Sequence, residues 1–135
     1  MQELSTEIFY LFLTTLFCGV LWIPYVTERF LRLGIKETCG YKDNTVNISE
    51  WAARAKLAHF NLVENLILFG ILVFILSSLD LSNEQTQIGS SIFFYSRLLH
   101  YSCYLFKVPW LRTGFFLISW VGLLMISLQI LIFLN

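Results

Sequence analysis

Residues 51–78 read WAARAKLAHFNLVENLILFGILVFILSS, and this stretch decides the fold. It is longer than the roughly 20 mostly apolar residues that a helix needs to cross the hydrocarbon core of a membrane. Its apolar residues run continuously instead of alternating, which favours a helix over a barrel strand. A helix also satisfies every backbone polar group within the segment. We therefore predict that residues 51–78 form a transmembrane helix.

Most of the remaining chain has the same character. Three further stretches are long and apolar enough to cross a membrane, residues 5–26, 86–106 and 110–134. The connections at 79–85 and 107–109 are so short that consecutive helices must be antiparallel and packed together. The sequence thus predicts an all-α membrane protein, with one domain over residues 1–135 that forms an antiparallel bundle of four transmembrane helices. Only the loop from 27 to 50 has room for irregular structure.

The composition agrees with this class and excludes others. Of the 135 residues, 57% are hydrophobic and 13% are charged, and the net charge is zero; the mean hydropathy is +0.70. A nucleic-acid-binding protein would carry a basic patch, so no nucleic-acid partner is expected.

The three cysteines show no C-x-x-C pair and no metal-ligand spacing with the two histidines, so we predict neither a disulfide framework nor a metal site. No Lys or Arg precedes the first apolar segment, and we expect that segment to stay in the mature protein because it lacks the basic region of a signal peptide.

The distribution of cations predicts the orientation in the membrane. Lys and Arg lie in the 27–50 loop, at the start of the second span and around the 107–109 connection, whereas the N-terminus, the 79–85 connection and the C-terminus have none. By the positive-inside rule, the cation-rich loops are cytoplasmic and both termini are non-cytoplasmic. Trp22, Trp51 and Trp110 would then lie near the same interface as an aromatic belt. The lack of a long extramembrane tail or a retention signal favours a bacterial inner membrane.

The start of the second span carries a capping signal. Asn47 is placed to cap the helix, and Glu50 is placed to reach back in the manner of a capping box. Asn47-Ile48-Ser49 also matches a glycosylation sequon, but glycosylation does not occur in the cytoplasm, where we place this loop. We therefore predict that Asn47 is a helix cap.

Two predicted spans carry polar residues that lipid should exclude. An ionised side chain at mid-bilayer costs about 2.5–3.5 kcal/mol on insertion scales, so each needs a partner or a function. The second span has a polar stripe at helical spacing, formed by Arg54, Ala58, Asn61 and Asn65, with Glu64 beside it. The third span has another stripe, formed by Arg97, His100, Tyr101 and Tyr104. Two interpretations stay open: the stripes form a binding site, or they only join helices through buried hydrogen bonds.

Charge suggests specific pairings within and near these stripes. Glu64 and Arg97 both lie near the middle of their spans, so an ion pair between them would remove most of the burial cost. His59 lies on the opposite side of its helix, and we interpret it as a packing residue. Arg29 and Arg32 end the first predicted helix on one face and are well placed to enter a pocket.

The chemistry of these residues suits a polar, zwitterionic small molecule together with a lipophilic one. Arginine forks bind carboxylates, and a carboxylate such as Glu64 can bind an ammonium group. The long apolar helices would hold a lipid-soluble compound. This combination predicts a site that joins a polar cofactor to a lipophilic co-substrate.

The sequence resembles the MAPEG family, the membrane-associated proteins in eicosanoid and glutathione metabolism, over nearly its whole length. The motifs that carry the resemblance are Arg54-Ala55-x-x-Ala58-His59-x-Asn61-x-x-Glu64-Asn65, Arg97-x-x-His100-x-x-x-Tyr104 and Pro109-x-x-Arg112-Thr113. Their order, spacing and place in four predicted spans make the resemblance more specific than any one of them.

The resemblance implies a homotrimer that binds glutathione in clefts between subunits, open to the cytoplasm. Asn61 and Glu64 would contact glutathione, Tyr104 would help to hold it, and Arg112 would be the catalytic residue that stabilises the thiolate. Arg29 or Arg32 corresponds to the family's first-helix arginine. Together with the polar stripes, this gives a predicted cofactor-binding set of Arg29, Arg32, Arg54, Asn61, Glu64, Arg97, His100 and Tyr104.

Two functions follow as hypotheses. The leading one is a glutathione-dependent transferase or peroxidase that acts on lipophilic electrophiles. The alternative is a non-catalytic family member that binds a lipid or a partner protein. Leu57 favours the alternative, because glutathione-using members carry an arginine four residues before the asparagine, where this chain has Leu57. Arg54, one turn earlier, is a candidate substitute for that arginine. A small transporter fits less well, because no predicted span is interrupted in mid-helix by Gly or Pro.

Overall fold

The computed structural model describes residues 4–40 and 48–135, and this part of the chain contains helices and no strands. The helices are α1 (Thr6–Val20), α2 (Trp22–Cys39), α3 (Glu50–Ser78), α4 (Glu84–Leu105) and α5 (Pro109–Leu134). The prediction of an all-α protein is confirmed. The predicted cap at Asn47 lies outside the described residues.

The first predicted segment differs from the structure at its end. The predicted span ends at residue 26 and leaves residues 27–50 as a loop with room for irregular structure, but helix continues to Cys39. The helical axis is interrupted at Leu21, whose N–H donates to the carbonyl of Cys18 at 3.2 Å, and again at Gly34, which has a φ of +75°. Hydropathy could not predict the extension, because α2 exposes both apolar and charged side chains and is not a continuous apolar run.

Three helical stretches in the described part of the chain are long and apolar enough to cross a membrane, Thr6–Cys39, Glu50–Ser78 and Pro109–Leu134. The helix α4, which covers the predicted span 86–106, is not among them. Its polar residues lower its hydropathy, yet several of them are buried inside the protein, namely Thr86, Ser90, Ser96, Arg97 and His100. These side chains face other helices, which explains how a weakly apolar helix belongs to this bundle.

Two glycines bring α4 and α5 into close contact. A Cβ atom at Gly89 would lie 2.9 Å from the backbone oxygen of Gly122, and a Cβ at Gly122 would lie 2.5 Å from the oxygen of Gly89. No side chain larger than hydrogen fits at either position without moving the backbone. Nearby, Phe69 of α3 stacks on Phe93 of α4 with ring centroids 4.3 Å apart. These close contacts of α4 with α3 and α5 therefore lie in the N-terminal half of α4.

A polar network ties α1 to the α3–α4 connection at one end of the bundle. Glu7 is 1% exposed, and its carboxylate accepts hydrogen bonds from Ser82 at 3.0 and 3.1 Å and from Thr86. Asn83 caps α4 through its side chain and donates to Gln129 of α5 at 3.0 Å. These hydrogen bonds join α1, α4, α5 and the α3–α4 connection at this end of the bundle.

Candidate functional site

Helices α3, α4 and α5 surround two neighbouring cavities at the end of the bundle where α4 joins α5. The first has a volume of about 180 Å³ and is lined by Asn61, His100, Tyr104, Arg112, Thr113 and Phe116. The second has a volume of about 210 Å³ and is lined by Arg54, Cys103, Tyr104, Lys107, Val108, Pro109 and Arg112. Tyr104 and Arg112 line both cavities, so we treat the two as one candidate site.

Local sequence explains why these side chains meet. His100 and Tyr104 are four residues apart on α4 and therefore share a face. Lys107 has a φ of +57°, which turns the chain after α4, and Pro109 starts α5 at a position where its missing N–H costs no hydrogen bond. Arg112 is thus placed on the first turn of α5, facing the last turn of α4.

Arg97 is the most deeply buried charged side chain near the site. It is 1% exposed, and its Nη2 donates to Oδ1 of Asn61 at 2.6 Å. Its Nε and Nη1 atoms have no hydrogen-bond partner, and its guanidinium carbon lies 6.0 Å from the ring centroid of Phe116. A buried donor without a partner costs about 1–3 kcal/mol. These two nitrogens carry three N–H groups without an acceptor, and Arg97 reaches the cavity lining through its hydrogen bond to Asn61.

Arg112 lies over an aromatic side chain at the junction of the cavities. Its guanidinium carbon is 4.8 Å from the ring centroid of Tyr104. The ring of His100 lies 5.4 Å from that of Tyr104 and 6.1 Å from that of Phe116. None of the ion pairs in the described part of the chain includes Arg112. Its positive charge is consequently available to an anion.

The outer cavity carries a second set of cations. Arg54 pairs with Glu50 at 3.6 Å and donates to the carbonyl of Leu105 at 3.4 Å. Lys107 contacts the same Glu50 carboxylate at 2.7 Å. Two cations thus share one carboxylate, which leaves the mouth of the site with a net positive charge.

The predicted ion pair between Glu64 and Arg97 is not formed. Glu64 is exposed, and Arg97 bonds to Asn61 instead. Glu64 follows Asn61 by three residues, so the two side chains leave α3 in directions that differ by about 60° around the helix axis. The Asn61 side chain reaches Arg97, and the Glu64 side chain does not. Glu64 lines neither cavity.

Four other residues that the sequence singled out lie away from the cavities. Arg29 and Arg32 lie on α2, where Arg32 pairs with Glu28 at 3.3 Å, and they line neither cavity. Tyr101 packs edge-on against Phe17 with ring centroids 5.7 Å apart. His59 forms a hydrogen bond with the hydroxyl of Tyr25 at 2.9 Å. The structure therefore brings together Arg54, Asn61, Arg97, His100, Tyr104 and Arg112, and leaves Arg29, Arg32 and Glu64 outside.

Sequence reasoning missed several lining residues. Phe116 follows Arg112 by four residues, so extending the stripe analysis to the fifth helix would have found it. Thr113 is adjacent to Arg112 in the quoted motif but was given no role. No pattern pointed to Cys103 or Lys107, which also line the outer cavity.

Comparison with known proteins gives one match. The family model described as MAPEG family matches residues 9–132, which is nearly the whole chain. The chain matches none of the curated proteins and none of the solved structures at a significant level.

Proposed function

This chain belongs to the MAPEG family, and on that premise we propose that it is a membrane-bound, glutathione-dependent transferase or peroxidase acting on lipophilic electrophiles. The family includes glutathione-dependent transferases and non-catalytic members. The observation that carries the proposal is Arg97, a buried guanidinium with two free donors beside a cavity lined by Asn61, His100, Tyr104 and Arg112. Such a cluster fits an anionic tripeptide.

The residues of the site divide into holding and activating roles. Arg97 and Asn61 would bind a carboxylate or peptide carbonyl of glutathione, because a guanidinium fork matches those acceptors. Arg54 and Lys107 at the mouth would attract the molecule electrostatically. Tyr104 would offer its ring and hydroxyl as a contact to the peptide.

Arg112 is the proposed catalytic residue. Glutathione supplies a thiol, and a free thiol has a pKa of about 8.5, so little of it is thiolate at neutral pH. The unpaired guanidinium of Arg112 would favour the thiolate next to it. The protein would contribute positioning and a fixed positive charge, and the membrane would deliver the lipophilic partner.

Assembly is part of the same proposal. Glu64 is charged and exposed on α3, among exposed apolar neighbours that include Phe60, Val63 and Ile67. A carboxylate is costly against lipid. A homotrimer in which α3 faces a neighbouring subunit would give Glu64 a partner and bring it to the bound glutathione. We further propose four transmembrane spans, with both termini on the non-cytoplasmic side and the site open to the cytoplasm.

Calorimetry with glutathione tests the function directly. The purified protein should bind glutathione, and it should also bind ophthalmic acid, in which a methyl group replaces the thiol. Only glutathione should give the ultraviolet absorbance of a bound thiolate at neutral pH. No heat with either peptide would refute the proposal.

The alternative, a non-catalytic member that binds a lipid or a partner protein, is supported by Leu57. Its side chain is 58% exposed and lines neither cavity, at the position where glutathione-using members carry an arginine. The same calorimetry separates the two functions, because the alternative predicts no binding of either peptide.

A further inference from the structure

A thiol borders the outer cavity and has no role in the proposed function. Cys103 is half-buried and lines this cavity. The other two cysteines have different surroundings: Cys18 is 7% exposed within an apolar cluster, and Cys39 is exposed at the end of α2. Cys103 is therefore the cysteine that borders the candidate site.

The turn after α4 fixes the position of Cys103 relative to Arg112. The carbonyl of Cys103 accepts from the N–H of Val108 at 3.0 Å, and the carbonyl of Val108 accepts from the N–H of Arg112 at 3.0 Å. These two backbone hydrogen bonds join the last turn of α4 to the first turn of α5. A ligand bound by Arg112 in the outer cavity therefore lies in the same space that Cys103 borders.

The outer cavity is electropositive. Arg54, Lys107 and Arg112 line it. Within residues 4–40 and 48–135, Glu50 is the one carboxylate that pairs with any of these cations. Three cations with one carboxylate leave a net positive charge, and the Lys107 side chain is 61% exposed, so the charge extends to the surface. A negatively charged molecule is therefore attracted to the cavity wall that carries Cys103.

A second, independent observation indicates a ligand with acceptor oxygens in the same site. Arg97 is 1% exposed, and its Nε and Nη1 atoms have no hydrogen-bond partner. Its Nη2 binds Asn61, which lines the first cavity. A buried guanidinium with too few acceptors is costly. A ligand that brings carboxylate or carbonyl oxygens to the lining beside Arg97 would lower this cost.

We propose that Cys103 is a glutathionylation site, which forms a mixed disulfide with glutathione disulfide, the product of the proposed peroxidase reaction. The inference rests on the proposed function, because the same cavities are the proposed site for glutathione. The Cys103 thiolate attacks one sulfur of glutathione disulfide. A new S–S bond forms between Cys103 and one glutathionyl unit, the original S–S bond breaks, and the other unit leaves as a thiolate that takes up the proton lost by Cys103. Free glutathione reverses the step by the same exchange.

The cavity sets the selectivity of this exchange. A glutathionyl unit has two carboxylates and one ammonium group, so it is a net anion with acceptors for guanidinium groups. A neutral disulfide such as 2-hydroxyethyl disulfide has no such charge. Once attached, the glutathionyl unit occupies the cavity that Arg112 borders and excludes a second peptide. Modification of Cys103 therefore closes the site while glutathione disulfide is abundant.

Peptide mass spectrometry of the reduced, full chain in detergent tests the selectivity. Glutathione disulfide and 2-hydroxyethyl disulfide are added separately, and the modification rates of Cys39 and Cys103 are measured in the same molecules. The ratio of the rate with glutathione disulfide to the rate with 2-hydroxyethyl disulfide should be about tenfold higher at Cys103 than at Cys39 at low ionic strength, and the difference should shrink as salt screens the cations. Equal ratios at the two cysteines would overturn the proposal.

A pair of lysine variants tests the electrostatic origin of the selectivity. Lys107→Gln should lower the rate ratio at Cys103, because it removes a cation from the cavity lining. The control Lys36→Gln, at an exposed residue outside the cavity, should leave the ratio at Cys103 unchanged. A ratio at Cys103 that responds to neither variant would overturn the proposal.

Protection by ophthalmic acid, which has no thiol, separates this inference from the proposed function. The peptide should slow the modification of Cys103 by glutathione disulfide but not that of Cys39, and its calorimetric binding should be lost once Cys103 is modified and return after reduction. If ophthalmic acid binds by calorimetry without protecting Cys103, the proposed function stands and the modification site is refuted. If neither glutathione nor ophthalmic acid binds but Cys103 keeps its higher rate ratio, the proposed function is refuted and the modification site stands.

Discussion

Replacing Arg112 by Lys should lower turnover while leaving the protein intact. The structure supplies the reason: the guanidinium lies 4.8 Å from the ring centroid of Tyr104, borders both cavities and has no carboxylate partner in the described part of the chain. A lysine keeps the charge but loses the planar fork. Expression, assembly and most of the glutathione affinity should therefore be retained.

The magnitude follows from what the fork can contribute. A hydrogen bond to a charged group is worth about 1.5–3 kcal/mol, and stacking on an exposed aromatic ring adds about 0.5–1 kcal/mol. An ammonium would recover part of this, so the net loss at the thiolate should be at least about 1.4 kcal/mol, which is tenfold in rate. The pH dependence has a definite sign. Because the variant stabilises the thiolate less, its deficit should be largest at neutral pH and should shrink towards the free thiol's pKa of about 8.5.

The assay is turnover of a generic lipophilic electrophile at saturating glutathione, measured from neutral to mildly alkaline pH. Lys36→Arg, a cation exchange at an exposed residue outside the cavities, is the matched control and should show wild-type rates. If Arg112→Lys turned over normally at neutral pH, the residue would be a membrane-interface anchor, and our account of thiolate activation would be refuted.

Three further outcomes test other parts of the structure. Arg97→Leu should leave the thermal midpoint unchanged or raised, because it removes two buried nitrogens that lack a hydrogen-bond partner. The same variant should weaken glutathione binding at least about tenfold, which is the equivalent of one hydrogen bond to a charged group. Unchanged calorimetric affinity would exclude Arg97 from the site. Gly122→Ala should lower the thermal midpoint by several degrees, since its Cβ would lie 2.5 Å from the oxygen of Gly89. The control Gly114→Ala, with no atom within 4 Å of its Cβ, should leave the midpoint unchanged. Equal midpoints for the two variants would contradict the close packing of α4 and α5. Cys39 is exposed, and in intact cells a membrane-impermeant maleimide should not label it; ready labelling from outside would reverse the proposed orientation.

Hydrophobic length was sufficient to predict the helical class but insufficient to predict the first helix boundary. Residues 51–78 and 110–134 are long and predominantly apolar, and helices α3 and α5 occupy nearly the same residues. The region after residue 26 mixes charged and apolar side chains, so it gave no hydropathy signal, yet α2 extends to Cys39. Amphipathic segments at a membrane surface are stabilised by one face only, and a sliding average over both faces hides them.

The candidate site was more predictable within a helix than between helices. Spacing alone put His100 and Tyr104 on one face, and both line the first cavity. Arg29 and Arg32 were expected near the same pocket because they are cations at a helix end. They line neither cavity, because α2 contacts α1 and α3 and not α4 or α5 in the described part of the chain. Their place in a site between subunits stays a prediction.

The clearest difference concerns the partner of Arg97. Opposite charge made Glu64 the natural choice, but Asn61, one turn away and about 60° around the helix, is the residue that accepts the hydrogen bond. The Asn61 amide accepts from only one guanidinium nitrogen, so the Nε and Nη1 nitrogens of Arg97 have no partner. Glu64 remains exposed. Neither charge is neutralised by an ion pair within residues 4–40 and 48–135. Since an uncompensated carboxylate and an uncompensated guanidinium in a membrane are both costly, the two observations together favour an assembly in which a neighbouring copy approaches Glu64 and an anionic ligand reaches Arg97.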